Sequence, residues 1–253
     1  MTNPVFHVPA EDLSRAHPGE VLDVTGPEAK HAVTVRRLRA GEALDLVDGH
    51  GTRAVCTFDS GAKDRMSVTV HDVLHEEARH PKFTLVQALA KGDRDLQAAE
   101  AATELGVSRV VPWQAERSIV RVHADRAAKL MAKWDATLAA AAKQSRRARW
   151  PDLGDWVDTA GLARVIGAES ETMWLVLHEL ASTRWSTPDV SQWGERPRIA
   201  VIVGPEGGIG DGELEALCAA GAQPLRLGTT VMRSSTAGPA ALAALHAVLG
   251  LWD

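Results

Sequence analysis

Three polar segments follow apolar runs, and their residue types could build one binding site. In Val201-Ile202-Val203-Gly204-Pro205-Glu206-Gly207-Gly208-Ile209-Gly210, an apolar run enters a glycine-rich turn that leads into a helix expected from Asp211. Glycines there let the main chain approach a ligand closely, and open α/β sheets bind ligands at the C-terminal ends of their strands. The turn lacks the Lys-Ser/Thr of a phosphate loop, and its glycine spacing departs from the dinucleotide fingerprint. Glu206 would repel a phosphate. A carboxylate beside exposed main chain suits a ligand with hydroxyls or positive charge, and S-adenosylmethionine has both, in its ribose and its sulfonium. A tight turn whose glycines serve geometry alone is the other reading.

The second segment is Leu225-Arg226-Leu227-Gly228-Thr229-Thr230-Val231-Met232-Arg233-Ser234-Ser235-Thr236. Arg233 precedes three hydroxyl residues at an expected helix start, where hydroxyls satisfy free backbone amides. Its guanidinium either pairs with an acidic neighbour or stabilises charge that develops on a reacting group. The third segment is Leu175-Val176-Leu177-His178-Glu179. His178 is a candidate base, set against the more common role of a hydrogen-bonded structural histidine. Formal net charge is −5, which argues mildly against a nucleic-acid binder. Phosphate contacts need only local basic patches, and two exist: Arg36, Arg37 and Arg39, and Arg146, Arg147 and Arg149.

The elements that must position these residues fall into two parts. Residues 1–74 read as β-rich, with short alternating segments at Glu20–Val24, Ala43–Val47, Ala54–Phe58 and Ser67–Val73 and one helical piece at Pro27–Leu38. They suggest a small β-barrel of the kind that binds nucleic acid. Residues 75–82, polar and containing Pro81, read as a linker. Residues 83–253 alternate strand and helix: strands at Phe83–Leu89, Arg109–Pro112, Met173–Leu177, Ile199–Val203 and Leu225–Leu227, and helices at Asp93–Leu105, Asp125–Ser145, Asp211–Ala220 and Thr236–Leu249. The fold class expected is α/β with a mainly parallel sheet.

Other classes recede. The two cysteines, Cys56 and Cys218, are far apart and fit a reducing cytoplasm. No apolar run approaches the roughly 20 residues of a membrane span, and Met1-Thr2-Asn3-Pro4 does not open a signal peptide. His71 and His75 share no helix face, so no metal site is expected. No Gly-x-Ser-x-Gly elbow appears.

Taken together, Gly204-Pro205-Glu206-Gly207-Gly208, Leu227-Gly228 and Met232-Arg233 resemble the cofactor signature of the SPOUT methyltransferases. Lys91-Gly92-Asp93-Arg94, Ala102-Thr103-Glu104-Leu105-Gly106-Val107, Glu116-Arg117-Ser118 and Lys143-Gln144-Ser145-Arg146-Arg147 resemble the RsmE branch, and His31, Val35 and Arg37 its PUA-like module. The resemblance spans nearly the whole chain. It implies a C-terminal trefoil knot, a homodimer, and methylation of N3 of a uridine in 16S ribosomal RNA of the small subunit by S-adenosylmethionine. It implies cofactor contacts from Leu177, His178, Gly204, Pro205, Glu206, Gly207, Gly208, Leu225, Leu227, Gly228 and Met232, with Arg233 catalytic. RNA contacts fall to His31, Arg37, Arg53, Lys91, Arg94, Arg117, Arg146 and Arg147. Ser235 stands where the family usually has glutamate, so no acid or base role falls to that position. The rivals are a nucleotide-binding α/β enzyme, which lacks its phosphate lysine here, and a non-catalytic RNA-binding ribosome-assembly factor.

Overall fold

The computed structural model describes residues 3–186 and 190–252, so Met1 and Thr2 of the N-terminal reading lie outside the described residues. Two compact units emerge. The first comprises Met1–Ala78 with Ala142–Trp150, the second Arg79–Ala141 with Pro151–Asp253.

The first unit is built on a five-stranded sheet. Its strands are β1 (Val5–His7), β2 (Val21–Thr25), β3 (Ala43–Val47), β4 (Thr52–Ala62) and β5 (Arg65–His75), in the order β1-β3-β4-β5-β2. The order is an open path, with no pairing recorded between its two end strands among the described residues. Alternating residues of β4 and β5 turn inward, and Ala54, Cys56, Phe58, Met66, Val68 and Val70 join Phe6, Leu44 and Leu46 in one core. A short α1 (Ala10–Leu13) and α2 (Pro27–Lys30) lie between strands, and α2 continues as a π-helical stretch, His31–Arg36, that stops at Arg37 in the left-handed conformation, φ 55°.

The division is not the single cut that the polar stretch 75–82 suggests. His75 still pairs in β5, and Lys82 already opens the next strand. Residues 142–150 belong to the first unit because their main chain and apolar groups find partners there. Arg149 bridges to Gly49 and His50, Ala148 packs with Val5 and Val47, and the Trp150 ring lies 4.4 Å from His7.

The second unit carries a parallel sheet in the order β12-β10-β11-β6-β7-β8, with β9 also on β7. The strands are β6 (Lys82–Ala88), β7 (Arg109–Gln114), β8 (Asp152–Leu153), β9 (Val157–Asp158), β10 (Thr172–Leu177), β11 (Arg198–Val203) and β12 (Gln223–Leu225). Parallel strands covered on both faces read as continuous apolar runs. Phe83, Leu85, Leu175, Val201 and Val203 face one core with α3 (Arg94–Glu104), α4 (Ala124–Gln144) and α7 (Ser234–Val248). Val86, Trp174, Val176, Ala200 and Ile202 face the other, with α5 (Thr159–Ala168) and α6 (Asp211–Ala219). Helix α3 ends as Gly106 suggests: φ is 87°, and the Gly106 and Val107 amides bond back to Thr103 and Ala102.

One strand lies two residues earlier than expected. The pairing is Gln223–Leu225 on β10, not Leu225–Leu227, and Leu227 lies in the following loop. Pro224 disguises this strand, since it cannot donate to a ladder; at the sheet edge it needs no partner on its outer side.

The chain lays β6, β7 and β8/β9 outward in one direction. It then crosses to place β10, β11 and β12 on the other side of β6. Such a reversal opens a crevice beyond the C-terminal strand ends.

Candidate functional site

A cleft of about 430 Å³ opens at the ends of β10 and β11. It is lined from three segments: Leu177 to Glu179, Val203 to Ile209, and Val231 to Ser234 with Ala237, with Arg117 at its margin. The volume falls in the range of roughly 300–1,000 Å³ typical of small-ligand sites.

The glycine turn is shaped by close contacts. The Gly208 amide donates to the Pro205 carbonyl at 2.9 Å, and Gly208 has φ 73°, a conformation that favours glycine. A Cβ on Gly204 would lie 2.6 Å from Cγ1 of Ile209, and one on Gly207 would lie 3.1 Å from Cβ of Arg117. Main chain therefore forms this wall of the cleft.

Polar anchors fix the turn at both ends. Arg94, at the start of α3, pairs with Glu206 at 3.0 Å. Arg117 donates from Nη1 to the Gly207 carbonyl at 3.1 Å. At the far end Glu213, 1% exposed, accepts from the Gly210 amide, the Glu116 amide and the Thr159 hydroxyl at 3.3, 2.9 and 2.5 Å. Glu213 thus ties the loop after β11 to the segment after β7. Its position three residues after Gly210, at the start of α6, is a capping-box spacing that the sequence shows without revealing the partners.

The second wall begins at the end of β10. The His178 amide donates to the Leu225 carbonyl at 3.0 Å, and His178 Nδ1 accepts the Leu180 amide at 3.3 Å. That acceptance places the neutral ring's proton on Nε2 and makes His178 the closure of a turn. The third wall is the N-terminus of α7. Arg233 is its N-cap, with an exposed side chain that makes no ion pair among the described residues. Its carbonyl accepts the Thr236 and Ala237 amides. No side chain caps the helix. Ser234 is 6% exposed, lines the cleft, and its hydroxyl has no partner.

The sequence-derived site residues are thereby sorted by position. Leu177, His178, Gly204, Pro205, Glu206, Gly207, Gly208, Met232 and Arg233 line the cleft together. Leu225 lies buried behind it with its carbonyl engaged by His178, and Leu227 and Gly228 lie outside the lining. Of the expected RNA contacts, Lys91, Arg94 and Arg117 lie in the second unit, and His31, Arg37, Arg53, Arg146 and Arg147 in the first. His31, Arg37, Lys91 and Arg146 are exposed.

Arg53, one of the expected RNA contacts, is engaged by partners in its own unit. It pairs with Asp45 and Glu76, each at 2.7 Å, and donates to the Arg146 carbonyl at 2.8 Å. These bonds hold its pKa above the ordinary arginine value against the opposing effect of burial, and its guanidinium is a strut within the first unit. Arg94 is likewise engaged by Glu206. Residues that sequence reasoning missed are Glu213, Thr159 and Ser234, since their burial and their distant partners, or the lack of one, leave no mark in the local sequence.

Among the described residues no group of three His, Cys, Asp or Glu could hold a metal ion, and no helix is long and apolar enough to cross a membrane. The cleft fits a ligand that meets main chain on one side and polar groups on the other.

Comparison with known proteins bears on what that ligand is. A family model described as an RNA methyltransferase domain matches residues 77–246, and one described as an RNA methyltransferase PUA domain matches residues 24–70. The ribosomal RNA small subunit methyltransferase E of Mycobacterium bovis is 39% identical over 237 residues, covering 93% of this chain and 89% of that protein. Its counterpart from Bacillus subtilis is 29% identical over 229 residues, 88% of this chain and 89% of that one. Among solved structures, the Legionella pneumophila protein Lpg2936 with bound SAM superimposes with a TM-score of 0.84 at 29% identity, covering 98% of each chain. The ribosomal RNA small subunit methyltransferase E of Neisseria gonorrhoeae, bound to S-adenosyl methionine, gives 0.81 at 27% identity and the same coverage.

Proposed function

Because the chain belongs to the RNA methyltransferase family that includes ribosomal RNA small subunit methyltransferase E, we propose that it methylates N3 of a uridine in 16S ribosomal RNA, with S-adenosylmethionine as donor. The observation that carries this reading is the convergence of the β10 end, the Gly204–Gly208 turn and Arg233 on one cleft.

The residues present fit that donor. Main chain at Leu177, Gly204 and Met232 offers the donors and acceptors an adenosine needs, and the missing Cβ atoms at Gly204 and Gly207 let the turn pack closely on Ile209 and Arg117. Glu206, held by Arg94, contributes negative charge near the positive cofactor. When bound, the cofactor supplies an electrophilic methyl group on its sulfonium.

The chain's own part is to prepare the acceptor. Neutral uridine N3 carries a proton and is a poor nucleophile, so the site must favour the deprotonated ring, its proton passing to solvent water before the methyl group arrives. Arg233 lines the cleft and is unpaired among the described residues, so its charge is available to stabilise negative charge on the uracil oxygens. Holding the two reactants in line lowers the barrier further. His178 serves the turn, its Nδ1 engaged by the Leu180 amide. Exposed Arg37, Lys91, Arg117 and Arg146 serve RNA phosphates together with the half-buried Arg147, and with His31 in the first unit.

The same reading places a trefoil knot in the second unit, a homodimer as the working form, and the cytoplasm as the location. Supporting it are the family membership and the strand order, which crosses back over β6 before β10–β12 form.

The test is methylation of small ribosomal subunits from a strain lacking this protein, with mapping of the modified base. Wild type should restore one N3-methyluridine. Arg233→Ala should bind S-adenosylmethionine within about three-fold of wild type and lose about 100-fold or more in turnover. Cofactor binding with no methylation of any subunit or RNA would favour a non-catalytic assembly factor.

A further inference from the structure

The N-terminus of α7 has two properties that the role given to Arg233 does not use. Its first amides have no side-chain cap, and the N-cap residue is arginine, outside the Ser, Thr, Asp and Asn that normally supply one. Its first helical residue, Ser234, is 6% exposed yet makes no hydrogen bond through its hydroxyl, and it lines the cleft. A buried hydroxyl without a partner is costly unless something else supplies one. Free amides at a helix start, a positive dipole end and an orphan hydroxyl together form a receptor for a negatively charged oxygen. Helix α7 is fifteen residues long and packs on β6 and β11, so this end is held firmly. Gly238, one turn on, sits so close to the sheet that a Cβ would meet Leu85 at 2.8 Å and Val203 at 3.3 Å.

We propose that Ser234 and the amides at the start of α7 form an oxyanion subsite of the cleft, adjacent to the Arg233 guanidinium. The proposal rests on the methyltransferase reading of the same cleft and adds a recognition element to it. Two oxygens there carry the required charge: the carboxylate of the cofactor's methionine end and the enolate oxygen of a deprotonated uracil. Either would accept from the Ser234 hydroxyl and the free amides, with Arg233 neutralising the remaining charge.

The experiment compares wild type, Ser234→Ala and Ser234→Thr, using calorimetric binding of S-adenosylhomocysteine and of 5′-methylthioadenosine, which lacks the carboxylate. Single-turnover methylation of small subunits across pH is the second readout. If the carboxylate occupies the subsite, Ser234→Ala weakens S-adenosylhomocysteine about ten-fold and leaves 5′-methylthioadenosine unchanged. If the uracil oxygen does, both affinities stay as in wild type. The single-turnover rate then falls about ten-fold, and its apparent pKa moves up because the anion is less favoured. In either case Ser234→Thr, which keeps the hydroxyl, restores the wild-type value. A Ser234→Ala protein equal to wild type in both readouts overturns the proposal. Wild type that binds neither nucleoside would instead overturn the methyltransferase reading beneath it.

Discussion

The guanidinium of Arg94 meets the carboxylate of Glu206 at 3.0 Å, joining the start of α3 to the glycine turn after β11. Both groups retain solvent contact, with side chains 48% and 25% exposed, so the pair contributes less than about 1 kcal/mol to stability. Its consequence is positional: it fixes where the negative charge of the turn sits. Arg94→Ala should therefore raise the Kd for S-adenosylmethionine about two- to five-fold with the melting temperature nearly unchanged. Glu206→Ala should do the same, and the double variant should lose no more than either single one. Fully additive losses would show that the two residues act separately.

Gly204 tests the wall itself. A methyl group there would lie 2.6 Å from Ile209 Cγ1, and Ile209 is 5% exposed with little room to retreat. Overpacking of this kind costs about 1–3 kcal/mol. Gly204→Ala should lower the melting temperature by several degrees and weaken cofactor binding. Gly212, with open space around its would-be Cβ, is the control: Gly212→Ala should leave cofactor binding as in wild type and not lower the melting temperature.

Glu213 is the deepest support of the site. Its carboxylate serves three donors, on Gly210, Glu116 and Thr159, at 1% exposure. Removing it leaves those donors without an acceptor in the interior, a cost of about 2–4 kcal/mol. Glu213→Ala should melt about 5–15 °C lower. It should also bind the cofactor more weakly, because the end of the turn is released. Glu213→Gln keeps one acceptor oxygen and should fall between.

Much of this architecture is legible in the residues, and the rest is hidden for physical reasons. Continuous apolar runs such as Ile199–Val203 mark strands covered on both faces, and glycine after such a run marks a ligand-facing turn. The two-residue strands β8 and β9 are too short for any periodicity to register. Pro224 conceals β12 because it argues against the strand it occupies. The return of residues 142–150 to the first unit depends on partners nearly 100 residues away, such as Gly49 and Arg53, which no local pattern encodes. Arg53 shows the limit for site residues. Composition presents a basic group, and only the positions of Asp45 and Glu76 reveal that its charge is spent internally. Ser234 shows the converse, an ordinary helix-start serine whose importance lies in what fails to touch it.

His246 gives the chain an acid sensitivity unrelated to the cleft. It sits on α7 at 4% exposure, edge-on to Phe83 at 4.9 Å and stacked on Trp252 at 5.4 Å, and neither ring nitrogen has a well-formed hydrogen bond. Burial pushes its pKa below the ordinary histidine value of 6.5, and the positive charge of Arg79 lowers it further, while the nearby Leu105 main chain offsets part of the shift. The native state therefore binds this proton less readily than the unfolded chain does. Its neutral form is fully compatible with folding above about pH 6.5. As pH falls below that value the unfolded chain takes up the proton first, and stability declines until the native ring also titrates. Melting temperature measured from pH 7 to pH 5 should fall for wild type and fall less steeply for His246→Phe, which keeps a flat ring between Phe83 and Trp252. Parallel slopes for the two proteins would place the acid sensitivity elsewhere.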